Sequence, residues 1–192
     1  MRIAALLFAG SALLAPAAWA EEMSLQFDPA QTRVEWTLGD VLHTIRGTFK
    51  LRRGSIHVDP ATGNASGELV VDATSGESGS SARDGRMHKN ILETKKYPDI
   101  VFRPRHVDGK IAPQGSSQVQ VHGLFEIHGA SHEITVPAQV QISGNHMTAD
   151  LNFPVPYVTW GIKNPSTLFL RVDEKVEIRV QAAASVATAA HP

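Results

Sequence analysis

Gln31-Thr32-Arg33-Val34-Glu35-Trp36-Thr37-Leu38-Gly39-Asp40-Val41-Leu42-His43-Thr44-Ile45 is the stretch that decides the fold class. Thr32, Val34, Trp36 and Leu38 fall on one side of an extended chain, and Gln31, Arg33, Glu35 and Thr37 on the other. This is the period-two pattern of a half-buried strand. Val41, His43, Ile45 and Phe49 share a face in the same way. A two-residue hairpin turn at Gly39-Asp40 pairs Leu38 with Val41, Trp36 with His43 and Val34 with Ile45. Both apolar sets then lie on one side, as a correct register requires.

Downstream, Arg53-Gly54 reads as the next turn, pairing Leu51 with Ile56 and Phe49 with Val58. Asp59-Pro60-Ala61-Thr62-Gly63 follows as a longer turn, and Leu69 and Val71 carry the inner face of a fourth strand. Residues 31–73 thus read as four antiparallel strands in up-and-down order. Ser75 to Ser81 reads as a flexible polar loop. Beyond it, Asp84 is placed to cap a short helix on which Met87, Ile91 and Leu92 form one apolar stripe. Tyr97-Pro98 ends that helix, and a strand begins at about Ile100 and includes Phe102.

Hairpins return in the second half. Val119, Val121, Phe125 and Ile127 alternate with Gln120, His122, Glu126 and His128, and a Gly129-Ala130 turn pairs Phe125 with Ile134. The apolar set then continues through Val136, Ala138, Val140 and Ile142. Met147, Leu151 and Phe153 mark another strand. Leu168, Leu170 and Val172, then Val176, Ile178 and Val180, mark the last two, with Asp173-Glu174-Lys175 between them as a turn. Residues 182–192 read as a disordered Ala-rich tail. The fold class is therefore all-β, an extended up-and-down antiparallel β-barrel with one short helix after the fourth strand. Closure is favoured because it removes exposed strand edges. The polar face is rich in Arg, Glu, Gln and Lys. A transmembrane barrel would need an apolar outward band with aromatic girdles, so no stable membrane insertion is expected.

Residues 1–20 stand apart from the barrel. Arg2 precedes an apolar run from Ile3 to Leu14, Pro16 breaks it, and Ala18-Trp19-Ala20 offers small residues at the positions a signal peptidase reads. The reading is a signal peptide cleaved before Glu21. The run is shorter than the ~20 apolar residues of a membrane span. The chain carries 18 Lys+Arg against 19 Asp+Glu and no cysteine. That balance gives no electrostatic reason to expect nucleic acid. The absence of cysteine excludes disulfides, thiolate catalysis and Cys-ligated zinc.

Nine histidines raise a metal hypothesis. His122, Glu126 and His128 are spread too far along one extended strand for a tight ligand set, and His128 and His132, flanking the turn, fall on opposite faces of the expected register. No metal site is assigned. His43 differs, because it shares the apolar face with Trp36. It reads either as a buried, hydrogen-bonded histidine or as a polar contact to a ligand headgroup. No partnered base, G-x-S-x-G elbow or phosphate-binding glycine loop is present, so no catalytic residue and no cofactor is assigned. Arg83, Arg86, Lys89, Lys95 and Lys96 gather around the helix, either as a solvated face or as a cluster at the barrel mouth that meets a lipid phosphate or carboxylate.

Arg83-Asp84, Met87-His88-Lys89, Leu92-Glu93, Tyr97-Pro98 and Phe102 together resemble the signature of the YceI-like family. Gly47-Thr48-Phe49, Ser75-Gly76-Glu77-Ser78-Gly79, Ile127-His128-Gly129 and Trp160-Gly161-Ile162-Lys163-Asn164-Pro165-Ser166 fit it too, in order, over about residues 25–181. The resemblance implies a lipocalin-like barrel domain over residues 21–181. Its long apolar pocket would hold a polyisoprenoid or a quinone-like amphiphile, as a non-enzymatic periplasmic carrier or scavenger linked to stress. The ligand-binding residues it points to, together with the inward faces above, are Val34, Trp36, His43, Ile45, Phe49, Arg83, Met87, Leu92, Tyr97, Phe102, Phe125, Phe153 and Trp160. A homodimer is allowed for. Members of the family often carry aromatics just before the acidic residue of the helix, where this chain has Asn90-Ile91-Leu92-Glu93, which implies a roomier pocket. The alternatives are a histidine-based periplasmic metal-binding protein and an enzyme acting on a bound hydrophobic substrate.

Overall fold

A computed structural model describes residues 22–39, 43–166 and 171–189. The expected signal peptide, Asp40 of the expected first turn with Val41 and Leu42 after it, Leu168 and Leu170 of an expected strand, and the last three residues of the expected tail lie outside the described residues. The strands are β1 (Glu22–Phe27), β2 (Arg33–Gly39), β3 (Thr44–Val58), β4 (Ala65–Glu77), β5 (Asp99–Asp108), β6 (Gly115–Ile127), β7 (Ala130–Ser143), β8 (His146–Val155) and β9 (Val176–Ala189). Every pairing between them is antiparallel. From β2 onward the chain is a meander, and β3 pairs β4 while β9 pairs β2, so the sheet closes on itself.

β1 and β2 occupy one position in the barrel. Both lie between β3 and β9, β1 against Ser55–Val58 and Ala184–Ala189, β2 against Thr44–Phe49 and Glu177–Gln181. Nine strands therefore make an eight-stranded barrel. The break between them is set by Asp28-Pro29-Ala30. The Asp28 carboxylate accepts the Ala30 backbone N–H at 2.8 Å, and its carbonyl accepts that of Thr32 at 3.0 Å. Proline has no N–H to give to a ladder, so the strand stops there. Met23 and Phe27 of β1 are buried. The sequence pattern begins to alternate clearly only at Gln31, and β1 was not anticipated.

The inward faces are as expected, but three registers differ. Trp36 pairs with Gly47, Val34 with Phe49 and Leu38 with Ile45, not with His43, Ile45 and Val41. The shift is even in residues, so the apolar side is unchanged and period two alone could not detect it. Arg53-Gly54 is not a turn. β3 runs unbroken for 15 residues, and its pairing with β4 slips between Leu51↔Val71 and Arg53↔Val70. That bulge moves the buried set from the odd residue Leu51 to the even residues Ile56 and Val58. A parity change in an apolar pattern has two physical sources, a turn and a bulge, and here it is the bulge. The turn between β6 and β7 is His128-Gly129, both at positive φ (53° and 76°), and Phe125 pairs with His132. Two consecutive positive φ values match the twist of the flanking strands.

Other boundaries also move. Ser75-Gly76-Glu77 continues β4, with Glu77 opposite Thr48, and is not loop. Residues 182–189, expected within a disordered tail, form the second half of β9, with Ala182 and Ala184 buried in the core between β1 and β8. Small side chains suffice there because both neighbouring strands supply the ladder. The helix α1 (Ser81–Arg86) follows the fourth strand as expected and continues into a π-helical turn, Met87–Ile91. Asp84 does not cap it. Asp84 lies in its first turn and accepts a 2.5 Å hydrogen bond from the Ser78 hydroxyl, which in turn accepts one from Arg83 Nε at 2.7 Å. Ser78 is thus a hub that ties α1 back to the end of β4.

Candidate functional site

Two clusters of apolar side chains fill opposite ends of the barrel. One gathers Met23, Ile56, Val58, Ile142, Met147 and Ala184 at the end away from α1, and the other Ala73, Ile127, Phe153, Val155, Tyr157 and Ile162 at the helix end. Between and through them the interior is not packed shut. A cavity of about 690 Å³ runs from Met23 and Val58 at one end to Met87 and Leu92 at the other. Its volume is within the ~300–1,000 Å³ typical of ligand pockets. At ~3.3 Å per residue and a strand tilt of ~40°, the 15 residues of β3 give a barrel roughly 35–40 Å long. That is of the order of a bilayer's ~30 Å hydrocarbon core. A long, narrow apolar space suits an extended chain better than a compact ring system.

Val34 and Trp36 from β2, Ile45 and Phe49 from β3, Phe102 from β5, Phe125 from β6 and Phe153 from β8 line this cavity. Arg83, Met87 and Leu92 line its helix end, so α1 and the π-turn form part of its mouth. His43 also lines that end, but it precedes β3 and is exposed; it is not the buried partner of Trp36. Gly47 takes that place, and the closeness of the indole is why a glycine is needed. A Cβ there would lie 2.4 Å from Trp36 Cε2 and Cζ2 and 2.2 Å from the Glu77 carbonyl. The Trp36 indole N–H is buried with no acceptor among the described residues.

Tyr97 and Trp160 do not line the cavity. Tyr97 packs on His128 (ring centroids 4.6 Å) beside Gly129, under the Lys96 ammonium at 4.8 Å. Trp160 stacks flat on His132 (4.3 Å, 3°) and abuts Phe125 at 5.7 Å. Both buttress the wall and do not face the interior. The two histidines that flank this turn are therefore engaged by different aromatic rings. A third group, His106 and His122, shares the exposed Asp108 carboxylate at 3.0 and 2.7 Å on β5 and β6. The His122 hydrogen bond holds Asp108 below the usual carboxylate range. No set of three or more His, Asp or Glu side chains among the described residues is placed to hold a metal ion.

Of the basic residues gathered around the helix, Arg83 and Arg86 line the cavity, one helical turn apart, and Lys89, Lys95 and Lys96 do not. Other lining residues are not marked by the sequence pattern. Tyr157, just past β8, is buried, and its hydroxyl donates to the Asp173 carbonyl at 2.6 Å. Burial, reinforced by the carboxylates of Asp173 and Glu174, pushes its phenol up to about 12. Together with Asn164 Nδ2 donating to the Val172 carbonyl at 3.3 Å, it folds the β8–β9 connection over the helix end. Only the three-dimensional closure of that connection brings Tyr157 to the cavity.

A closed eight-stranded antiparallel barrel with an apolar interior cavity defines the lipocalin-like class of binding folds. Within that class the chain belongs to the YceI-like domain family, whose profile matches residues 25–184. Solved structures agree on the fold. BcnA of Burkholderia cenocepacia superposes with a TM-score of 0.67 at 20% identity, over 82% of this chain and 99% of that one. A polyisoprenoid binding domain from Saccharophagus degradans gives 0.65 at 14% identity, over 85% and 98%. The YCEI protein of Campylobacter jejuni gives 0.60 at 19% identity, over 75% and 86%. No curated protein matches the chain.

Proposed function

We propose that this protein is a periplasmic carrier or scavenger that holds one long apolar amphiphile, a polyisoprenoid or a quinone-like lipid, inside the barrel. The observation that carries the reading is the cavity of about 690 Å³ running most of the barrel's length with an almost wholly apolar wall. Leaving such a space empty forfeits dispersion contacts along its whole lining, and water has few polar partners there. An apolar chain recovers those contacts. The polyisoprenoid binding domain of the same fold supports the choice of lipid class. Export rests on the leader pattern of residues 1–20. In this reading Val34, Trp36, Ile45, Phe49, Met87, Leu92, Phe102, Phe125 and Phe153 contact the chain, Arg83 and His43 stand near its headgroup, and no residue is assigned a catalytic role.

The test is uptake. Delipidated protein is incubated with liposomes carrying a long-chain quinone or a polyprenol, separated, and extracted. The expected result is one lipid per barrel, with competition between the two lipids for the same space. Protein that leaves both lipids in the bilayer refutes the reading.

A further inference from the structure

On the outer wall of the barrel, His122 of β6 lies opposite His106 of β5 and Thr135 of β7. In the neighbouring row of the same face, Gln120 lies opposite Asp108 and Pro137. The β5–β6 pairing slips between Pro104↔Gly123 and His106↔His122. Ile100 and Pro104 line the interior, and without the slip His106 and Asp108, also even-numbered, would follow them inward. Re-aiming side chains in this way is a recurrent use of a β-bulge.

The result is a hydroxyl, an imidazole and a carboxylate in series. His122 Nε2 meets Asp108 Oδ2 at 2.7 Å, and His122 Nδ1 meets the Thr135 hydroxyl at 2.9 Å. His106 Nε2 stands 3.0 Å from the other carboxylate oxygen. An ionised carboxylate only accepts, so Nε2 of the neutral His122 carries the proton. Nδ1 then presents a lone pair to which Thr135 donates. This is the geometry that activates a weak nucleophile through a base held in one tautomer. A second cross-strand pair lacks it. Ser24 Oγ and His57 Nδ1 are 2.9 Å apart on β1 and β3, but Glu22 stands 3.8 Å from that same Nδ1. Among the described residues no acid fixes the His57 tautomer from the far nitrogen. The Gln120 carboxamide makes no hydrogen bond among the described residues, so its N–H donors are available to a developing oxyanion. Asp108, Gln120 and Pro137 also line a shallow groove on this wall, with Gln118 and Gln139.

We propose that Thr135, His122 and Asp108 form a hydrolytic site on the outside of the barrel, which transfers the acyl group of a small, water-soluble ester to water. Thr135 Oγ1 attacks the ester carbonyl carbon and its proton passes to His122 Nδ1. The ester C–O bond breaks, and the alcohol leaves with that proton. Water then attacks the acyl-threonine with the same base, releasing the carboxylic acid and restoring the hydroxyl. Thr135 and His122 are the catalytic residues, Asp108 is a positioning residue, and the polar, open wall selects a soluble ester over an apolar one.

The test is hydrolysis of p-nitrophenyl acetate by the purified full-length protein. Thr135→Val and His122→Ala are each expected to lower kcat/KM about tenfold. Thr135→Ser should retain activity, and His57→Ala should leave it unchanged. Asp108→Asn should lower kcat at unchanged KM, which a merely structural carboxylate would not do. Peptide mass spectrometry of protein quenched during turnover should find the acetyl group on Thr135. A Thr135→Val protein as fast as wild type overturns the site, in favour of an imidazole acting alone. So does an equal loss in His57→Ala and His122→Ala, which marks the general reactivity of exposed histidines. Wild-type protein no faster than the same concentration of free imidazole overturns it as well. All the substituted side chains stand on the outer wall, so each of these outcomes leaves the lipid-cargo reading untouched.

Discussion

Gly47→Ala tests the pairing that organises the cavity wall. The added Cβ would lie 2.4 Å from two carbons of the Trp36 indole and 2.2 Å from the Glu77 carbonyl oxygen. Relaxed contacts sit at ~3.5–4.0 Å, so more than 1 Å of overlap must be relieved on two sides at once. The carbonyl belongs to β4 and cannot swing aside, so the indole must move. A tryptophan buries ~150–250 Å², and exposing about a third of that at ~25 cal/mol per Å² costs roughly 1–2 kcal/mol. Strain from overpacking adds a further ~1–3 kcal/mol. We expect a loss of about 3 kcal/mol in urea unfolding followed by tryptophan fluorescence, with a shifted emission maximum in the native state. Gly85→Ala is the control. Gly85 lies in α1 with open space around its Cβ position, and alanine there should add ~0.5–1 kcal/mol. A Gly47→Ala protein within ~0.5 kcal/mol of wild type would mean that Gly47 does not lie beneath Trp36. That would restore the hairpin register in which His43 takes that place.

The remaining expectations concern the mouth, the brace and the interior. Tyr157 has its folded-state pKa raised to about 12 against ~10 unfolded. Above pH 10 the unfolded chain therefore loses a proton that the folded chain keeps, and stability falls as pH rises from 10 to 12, by about 2 kcal/mol in all. Tyr157→Phe should flatten that part of the alkaline unfolding curve, and parallel curves would show that Tyr157 does not carry it. Ser78→Ala removes the hub shared by Arg83 and Asp84; amide exchange in residues 80–92 should speed up with less than ~1.5 kcal/mol change in global stability. Unaltered exchange would deny the brace. Ala138→Phe places a ring in the cavity from the buried face of β7. Because open space receives it, the fold should survive with a cost no greater than ~1–3 kcal/mol, while lipid uptake from liposomes falls severalfold. Undiminished uptake would place the lipid elsewhere.

What the sequence made legible follows from what period two can and cannot encode. It marks which side of a strand is apolar, and for this reason Val34, Trp36, Phe125 and Phe153 were placed correctly inside. It does not encode register, because an even slip preserves every face, and so His43 and Gly47 exchanged roles against Trp36. Nor does it distinguish a bulge from a turn, the reason one continuous β3 was read as two strands. The count of four strands before the helix survived because the strand gained by that misreading offset the unanticipated β1. The alanines of residues 182–189 carry no strand signal of their own, and pairing with β1 and β8 makes them one. Tyr97 and Trp160 belong to the motifs by which the family is recognised, yet they stack on His128 and His132 behind the wall. A family signature marks positions that the fold needs as readily as positions that touch a ligand.

If the cavity of about 690 Å³ is a lipid site and not a packing defect, it is filled in the cell. Native mass spectrometry of the protein purified from producing cells tests this most directly. The expected spectrum shows a chain beginning at Glu21 that carries one non-covalent adduct, released on activation and found in the organic extract as a long-chain lipid. A bare chain under gentle conditions, from cells rich in quinones and polyprenyl lipids, would contradict it.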